Sequence, residues 1–121
     1  DKRLRVISLT DNIATITAFA NDLSYDEIFS QQLKNLIKEK DLLIVITGSG
    51  NSKNIINALE TAKKAGAYVF SLLGFDGGEV AHLSDDYMII PSQNYGIIED
   101  AHSMIGHLIT ILLRKENNFV T

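Results

Sequence analysis

The sequence predicts an α/β fold, a three-layer doubly wound parallel sheet, and three observations point to it. Leu42-Leu43-Ile44-Val45-Ile46 is an apolar run without polar alternation, as expected for a strand covered on both faces of a parallel sheet. Apolar runs of this kind are separated by segments of helical periodicity of about 10 to 15 residues, which implies right-handed crossovers between parallel strands. Finally, the run halts at Thr47-Gly48-Ser49-Gly50-Asn51-Ser52, small and hydroxyl-rich residues suited to a strand-to-helix turn at the carboxyl end of a sheet, where ligands of such folds sit. A length of 121 residues fits a single domain, residues 1–121. A chain of that size can bury roughly 65% of its unfolded surface.

Taken in order, Arg5 to Leu9 reads as a short strand, and Thr10 to Ser24 mixes Asp, Asn, Thr and Ala without a firm period, so a loop with a helical turn is expected there. From Asp26 the apolar positions Ile28, Phe29, Leu33, Leu36 and Ile37 keep helical spacing. Asp26 and Glu27 stand near that helix's start and Lys38 and Lys40 near its end, as the helix dipole favours. After the Leu42–Ile46 strand, Ser52 caps a helix with inward face Ile55, Ile56, Leu59 and Ala62, ending at Gly66 behind Lys63 and Lys64. Ala67 to Leu73 is the next strand, Gly74 to Ser84 a glycine-rich connector holding one short helix, and Tyr87 to Ile90 a strand stopped by Pro91. The closing helix spans Ile97 to Arg114, with Ile98, Ala101, Ile105, Leu108 and Leu112 on its apolar side.

Composition narrows the function. The net charge of -4 and the scatter of the eleven Lys and Arg give no electrostatic footprint for nucleic acid. The absence of cysteine excludes disulfides and thiolate metal sites and suits a cytoplasmic home. No uninterrupted apolar run approaches the roughly 20 residues that span a bilayer, so no membrane partner is expected.

The Thr47–Ser52 loop offers the hydroxyls of Thr47, Ser49 and Ser52, the amide of Asn51, and two glycines that let backbone approach a ligand. Two readings stay open on spacing alone, a phosphate cradle and a plain capped turn. The loop lacks the Lys of a P-loop and the third Gly of the dinucleotide fingerprint, so no nucleotide cofactor is expected. Asn21 and Asp22 read by themselves as turn residues. On the closing helix Glu99 and His107 lie eight residues apart, hence about 12 Å along and about 80° around from one another. That spacing does not suit a zinc pair, which normally stands at i, i+4. His102 reads as an ordinary, partly exposed helical histidine, and His107 as one satisfied within a core or an oligomer interface.

Ser49-Gly50-Asn51-Ser52 at a strand-to-helix turn, then Ala62-Lys63-Lys64-Ala65-Gly66 and Gly74-Phe75-Asp76-Gly77-Gly78, resembles the sugar isomerase (SIS) domain, and most closely the phosphoheptose isomerases that act on sedoheptulose 7-phosphate. The resemblance implies a flavodoxin-like sheet and a phosphorylated sugar as ligand. It implies that Thr47, Gly48, Ser49 and Ser52 hold the phosphate, with Gly48 standing where relatives carry a hydroxyl residue. Asn21 and Asp22, followed by Tyr25 and Ile28-Phe29-Ser30-Gln31, resemble a family stretch that contacts sugar hydroxyls. Glu99 and His107 fall where the family has a metal-binding Gln and His facing the reacting carbons. His107 would thus move protons, and Glu99 and His107 would serve as metal ligands, zinc being the implied ion. A homotetramer with sites at subunit borders is implied too.

The family's Gly-Asn-Gly-Gly-Ser loop, and the following helix that brings a His ligand and a Glu proton carrier, have no counterpart in this sequence. The resemblance therefore covers nearly the whole chain but about the last two-thirds of a typical member. The expectation is a domain incomplete at its N-terminus, with little isomerase activity on its own. The alternative is a non-catalytic module that senses a phosphosugar or scaffolds a protein partner.

Overall fold

The computed structural model describes residues 4–116. Its elements run α1 (Ile13–Asp22), a 3-10 turn (Tyr25–Glu27), α2 (Ser30–Leu36), β1 (Leu42–Thr47), α3 (Lys53–Lys64), β2 (Tyr68–Gly74), α4 (Gly78–Leu83), β3 (Asp86–Ile90) and α5 (Tyr95–Glu116). The described strands form one parallel sheet in the order β1-β2-β3, with Ile46, Leu72 and Met88 in register across it. The expected α/β architecture is present, with β1 linked to β2 through α3 and β2 to β3 through α4.

Alternation along each strand sorts the side chains. Val45, Val69 and Leu73 point toward α3 and α4, where they join Leu59, Ala62, Val80 and Ala81 in the buried core. Ser71 lies in the same row without leaving a polar group unpaired. Ser84 Oγ donates to the Val80 carbonyl and must therefore accept from Ser71 Oγ, 2.7 Å away. Lys63 and Asp85 pin the far end of this layer, with Lys63 Nζ on Asp85 Oδ1 and the Val69 N–H on Asp85 Oδ2. Those contacts, the Val69 amide first and Lys63 second, hold the Asp85 carboxyl below its ordinary pKa.

The opposite face corrects one expectation. β1 is not covered on both sides, because Leu42, Ile44 and Ile46 are 58%, 48% and 61% exposed. Among the described residues α5 covers this face over β2, where Ile98 packs on Gly74 so closely that an added Cβ would stand 2.5 Å from Ile98 Cδ1. One turn on, His102 is buried against the Leu73 carbonyl at 3.0 Å. Since a carbonyl only accepts, Nε2 carries the proton. His102 was expected to be partly exposed; it is instead the polar pin of α5. Further along α5 the apolar side reopens, with Leu108 and Leu112 exposed. By length and composition alone α5 could cross a membrane. Short apolar stretches average to that result once the helix is taken whole, but its first turns are committed to the sheet.

The N-terminal part departs most from expectation. Arg5 to Leu9 is not a strand. A strand needs a paired neighbour, and this run is not brought to either open edge of the β1-β2-β3 sheet; its Val6 and Ile7 stay exposed. Conversely Thr10 to Ser24 is mostly the helix α1, started by the Asn12 side chain accepting from the Thr15 N–H. The helix expected from Asp26 is split into the 3-10 turn and α2, so that Lys38 and Lys40 lie beyond it. Glu27 organises this corner. Its carboxylate accepts from Ser30 Oγ at 2.6 Å, Gln31 Nε2 at 2.8 Å and Asn57 Nδ2 of α3 at 3.1 Å. These contacts, Ser30 first, lower the Glu27 pKa.

Candidate functional site

At the carboxyl ends of the strands two glycine-bearing loops lie back to back. The first joins β1 to α3 and the second, Phe75–Gly77, joins β2 to α4. Gly50 has φ +66°, and a Cβ there would fall 2.0 Å from the Gly77 carbonyl oxygen, so both conformation and space require glycine. The Val80 N–H donates to the Gly50 carbonyl at 2.9 Å, and the Gly74 N–H to the Gly48 carbonyl at 2.9 Å. Asn51 completes the lock. Its Nδ2 donates to the Ser49 carbonyl and its Oδ1 accepts from the Glu79 N–H, both at 3.0 Å. The amide that the sequence offered to a ligand is thus engaged in holding the loops together.

Ser52 is the N-cap of α3, and its side chain makes no capping hydrogen bond. The hydroxyl stands beside first-turn amides that a helix leaves unsatisfied, at the positive end of the dipole. Ser49 Oγ accepts from the Asn51 N–H at 3.3 Å, which tightens the turn. Beside this loop opens a cleft of about 320 Å³ lined by Ser49, Asn51, Phe75, Asp76, Gln93 and Tyr95. That is the size of a small-molecule site.

Sequence reasoning missed four of these lining residues: Phe75, Asp76, Gln93 and Tyr95. The signal for Tyr95 was Gly48. A Cβ at Gly48 would meet Tyr95 Cε1 at 2.7 Å, so the glycine makes room for the ring. Phe75 carries its own mark, φ +50°, a conformation uncommon for a bulky residue.

The remaining expected site residues stand outside the cleft lining. Thr47 ends β1 and Gly48 lies under Tyr95. Asn21 and Asp22 are not in a loop but in the last turn of α1, exposed, with Asn21 Nδ2 donating to Asp22 Oδ1 at 3.0 Å. Glu99 and His107 are both exposed on α5. Among the described residues no group of three or more His, Cys, Asp or Glu stands together as a metal site. Zinc sites take at least three protein ligands, so residues 4–116 alone do not fit one.

Residues 3–74 match the SIS domain family. The chain is 43% identical over 110 residues to the phosphoheptose isomerase of Sulfurimonas denitrificans, covering 91% of this chain and 56% of that protein. To the phosphoheptose isomerase of Leptospira biflexa serovar Patoc it is 44% identical over 115 residues, covering 95% and 59%. Among solved structures, phosphoheptose isomerase GmhA from Neisseria gonorrhoeae superimposes with a TM-score of 0.87 at 30% identity, covering 90% of this chain and 61% of that one. A phosphoheptose isomerase from Francisella tularensis does so with a TM-score of 0.81 at 39% identity, covering 84% and 55%. The chain thus spans rather more than half the length of these relatives.

Proposed function

The chain belongs to the SIS domain family, and we propose that it is the phosphosugar-binding part of an aldose-ketose isomerase acting on sedoheptulose 7-phosphate. The observation that carries this reading is the Thr47–Ser52 loop, locked by the second loop and opening α3 with an uncommitted cap hydroxyl beside a ligand-sized cleft. Phosphate sits there, held by the hydroxyls of Thr47, Ser49 and Ser52 and by backbone amides at the positive end of α3. Support comes from relatives named phosphoheptose isomerase that match nearly the whole chain.

In this reading the reaction transfers a proton between adjacent carbons through an enediol, which requires a base and stabilisation of an oxyanion. His107 moves a proton and Glu99 binds substrate. Asn21 and Asp22 contact sugar hydroxyls. Glu99 and His107 would hold a zinc ion together with donors supplied from outside residues 4–116. A homotetramer is proposed on the exposed apolar side of α5, where Met104, Leu108, Ile111 and Leu112 are 66%, 55%, 50% and 59% exposed. Cytoplasmic localisation belongs to the same reading and rests on the resemblance to metabolic isomerases.

Isothermal titration calorimetry with inorganic phosphate and with sedoheptulose 7-phosphate tests the central claim. Both ligands bind the wild-type chain, and Ser52→Ala weakens both by about tenfold, the worth of one hydrogen bond to a charged group. Affinities unmoved by Ser52→Ala, or no binding of either ligand, would sink the assignment.

A further inference from the structure

The phosphate loop accounts for one end of a ligand, while the cleft beside it has walls that a phosphate does not need. Two aromatic rings, a carboxylate and a side-chain amide line it together with the loop. Tyr95 is 54% exposed, yet its ring is fixed on two sides. Phe75 meets it edge-on, with centroids 4.9 Å apart and planes at 67°. Beneath it lies Gly48, whose missing Cβ leaves the ring in contact with bare backbone. The ring is therefore an apolar surface that is both presented to solvent and already ordered, so little entropy is lost when a ligand packs on it.

Phe75 adds a second observation. Its φ of +50° costs of the order of 1 kcal/mol or more for a residue that carries a Cβ. The turn sustains it through the Gly77 N–H donating to the Gly74 carbonyl at 2.9 Å. That strained backbone places the ring at the edge of Tyr95. Charge then orients the ligand. Asp76 Oδ1 accepts from the Gly78 N–H at 3.2 Å, and a carboxylate retains further acceptor capacity for a sugar hydroxyl while repelling phosphate. Gln93 can both donate and accept.

We infer that Tyr95, seated on Gly48 and braced by Phe75, is the wall on which the carbon chain of a phosphorylated polyol packs, and that Asp76 and Gln93 read its hydroxyls. Tyr95 is thus a specificity-determining residue, distinct from the loop that holds the phosphate. This inference rests on the phosphosugar reading above, in which the loop sets where the ligand is anchored; the wall sets which sugar follows.

Calorimetry on the full chain separates the two claims, using sedoheptulose 7-phosphate and inorganic phosphate as probes. Tyr95→Ala weakens the sugar phosphate by about tenfold and leaves inorganic phosphate within about twofold. Tyr95→Phe keeps both affinities, because the ring and not its hydroxyl makes the contact. Gly48→Ala, which displaces the ring, lowers sugar phosphate affinity as Tyr95→Ala does, and the double variant is no worse than either single one. Equal losses for both probes on Tyr95→Ala would show that the ring only props the loop and would overturn the inference. So would an unchanged sugar phosphate affinity. A wild-type chain that binds inorganic phosphate but gains nothing from the sugar overturns the wall and leaves the loop reading standing. Binding of neither probe removes both.

Discussion

On the α3 and α4 side of the sheet Leu59, Ala62, Val69, Leu73 and Val80 are wholly withdrawn from water, whereas on the other side Leu42, Ile44 and Ile46 keep about half of their surface exposed. The same strand supplies both sets, since Val45 alternates with Ile44 and Ile46 along β1. Apolar burial stabilises by about 25 cal/mol per Å², so the sealed side contributes far more of that stabilisation than the open one. The difference teaches that the Thr47–Ser52 loop joins the two sides. Its Gly50 end is locked to the α4 side by the Val80 N–H, while Gly48 lies under Tyr95 of α5.

Four substitutions test that contrast, from the largest expected effect to the smallest. Leu59→Ala on the sealed side should cost about 2 to 5 kcal/mol in urea unfolding, the range for cavities in a closed core. A cost under 1 kcal/mol would mean that the core collapses around the gap. His102→Ala removes a buried polar pin on the other side and leaves the buried Leu73 carbonyl short of its partner, at about 2 to 3 kcal/mol. Here the sharper readout is hydrogen exchange, which should quicken along α5 before it does in α3; uniform acceleration would contradict a local pin.

Glu27 extends the comparison to pH. Its carboxyl is held below the ordinary value of 4.5 by Ser30 first and Gln31 next, with Lys34 and Asn57 adding. A depressed folded-state pKa gives stability that is complete above the unfolded value and disappears as pH falls through the folded one. Glu27→Gln should therefore lower the melting temperature at pH 7, and the gap to wild type should narrow as the pH drops below 4.5. A gap that stays constant on acidification would remove the carboxylate from the account. Least costly is Ile46→Lys on the open side, at no more than about 0.5 kcal/mol in the dilute chain. In sedimentation velocity the same substitution should abolish any self-association through this face. A stability loss above 2 kcal/mol would show the residue to be packed already.

How far the sequence could be read follows the same division. β1, α3, β2, α4, β3 and α5 were legible because each has a strong period, a cap or a stop, such as Ser52 before α3 and Gly66 after it. Arg5 to Leu9 misled because strand propensity says nothing about whether a run is brought to a sheet edge. α1 was missed although Asn12 caps it, because none of its residues is buried and the apolar period that marks a packed helix is weak. His102 depended on a tertiary contact 29 positions away, which no local pattern records. At the site, the Thr47–Ser52 loop was visible as a run of small residues. Its neighbours Phe75, Asp76, Gln93 and Tyr95 come from two other connections, and only the fold brings them to it.

The back-to-back loops also bear on how such a site can vary in descent. Gly50 has its place only while Gly77 presents a carbonyl 2.0 Å from where a Cβ would be, and Asn51 only while the Glu79 N–H faces it. A change on either side leaves its mate misfitted, so the two stretches fit as one unit although 27 positions separate the paired glycines. In descent such a pair can change only together, whichever ligand the cleft takes.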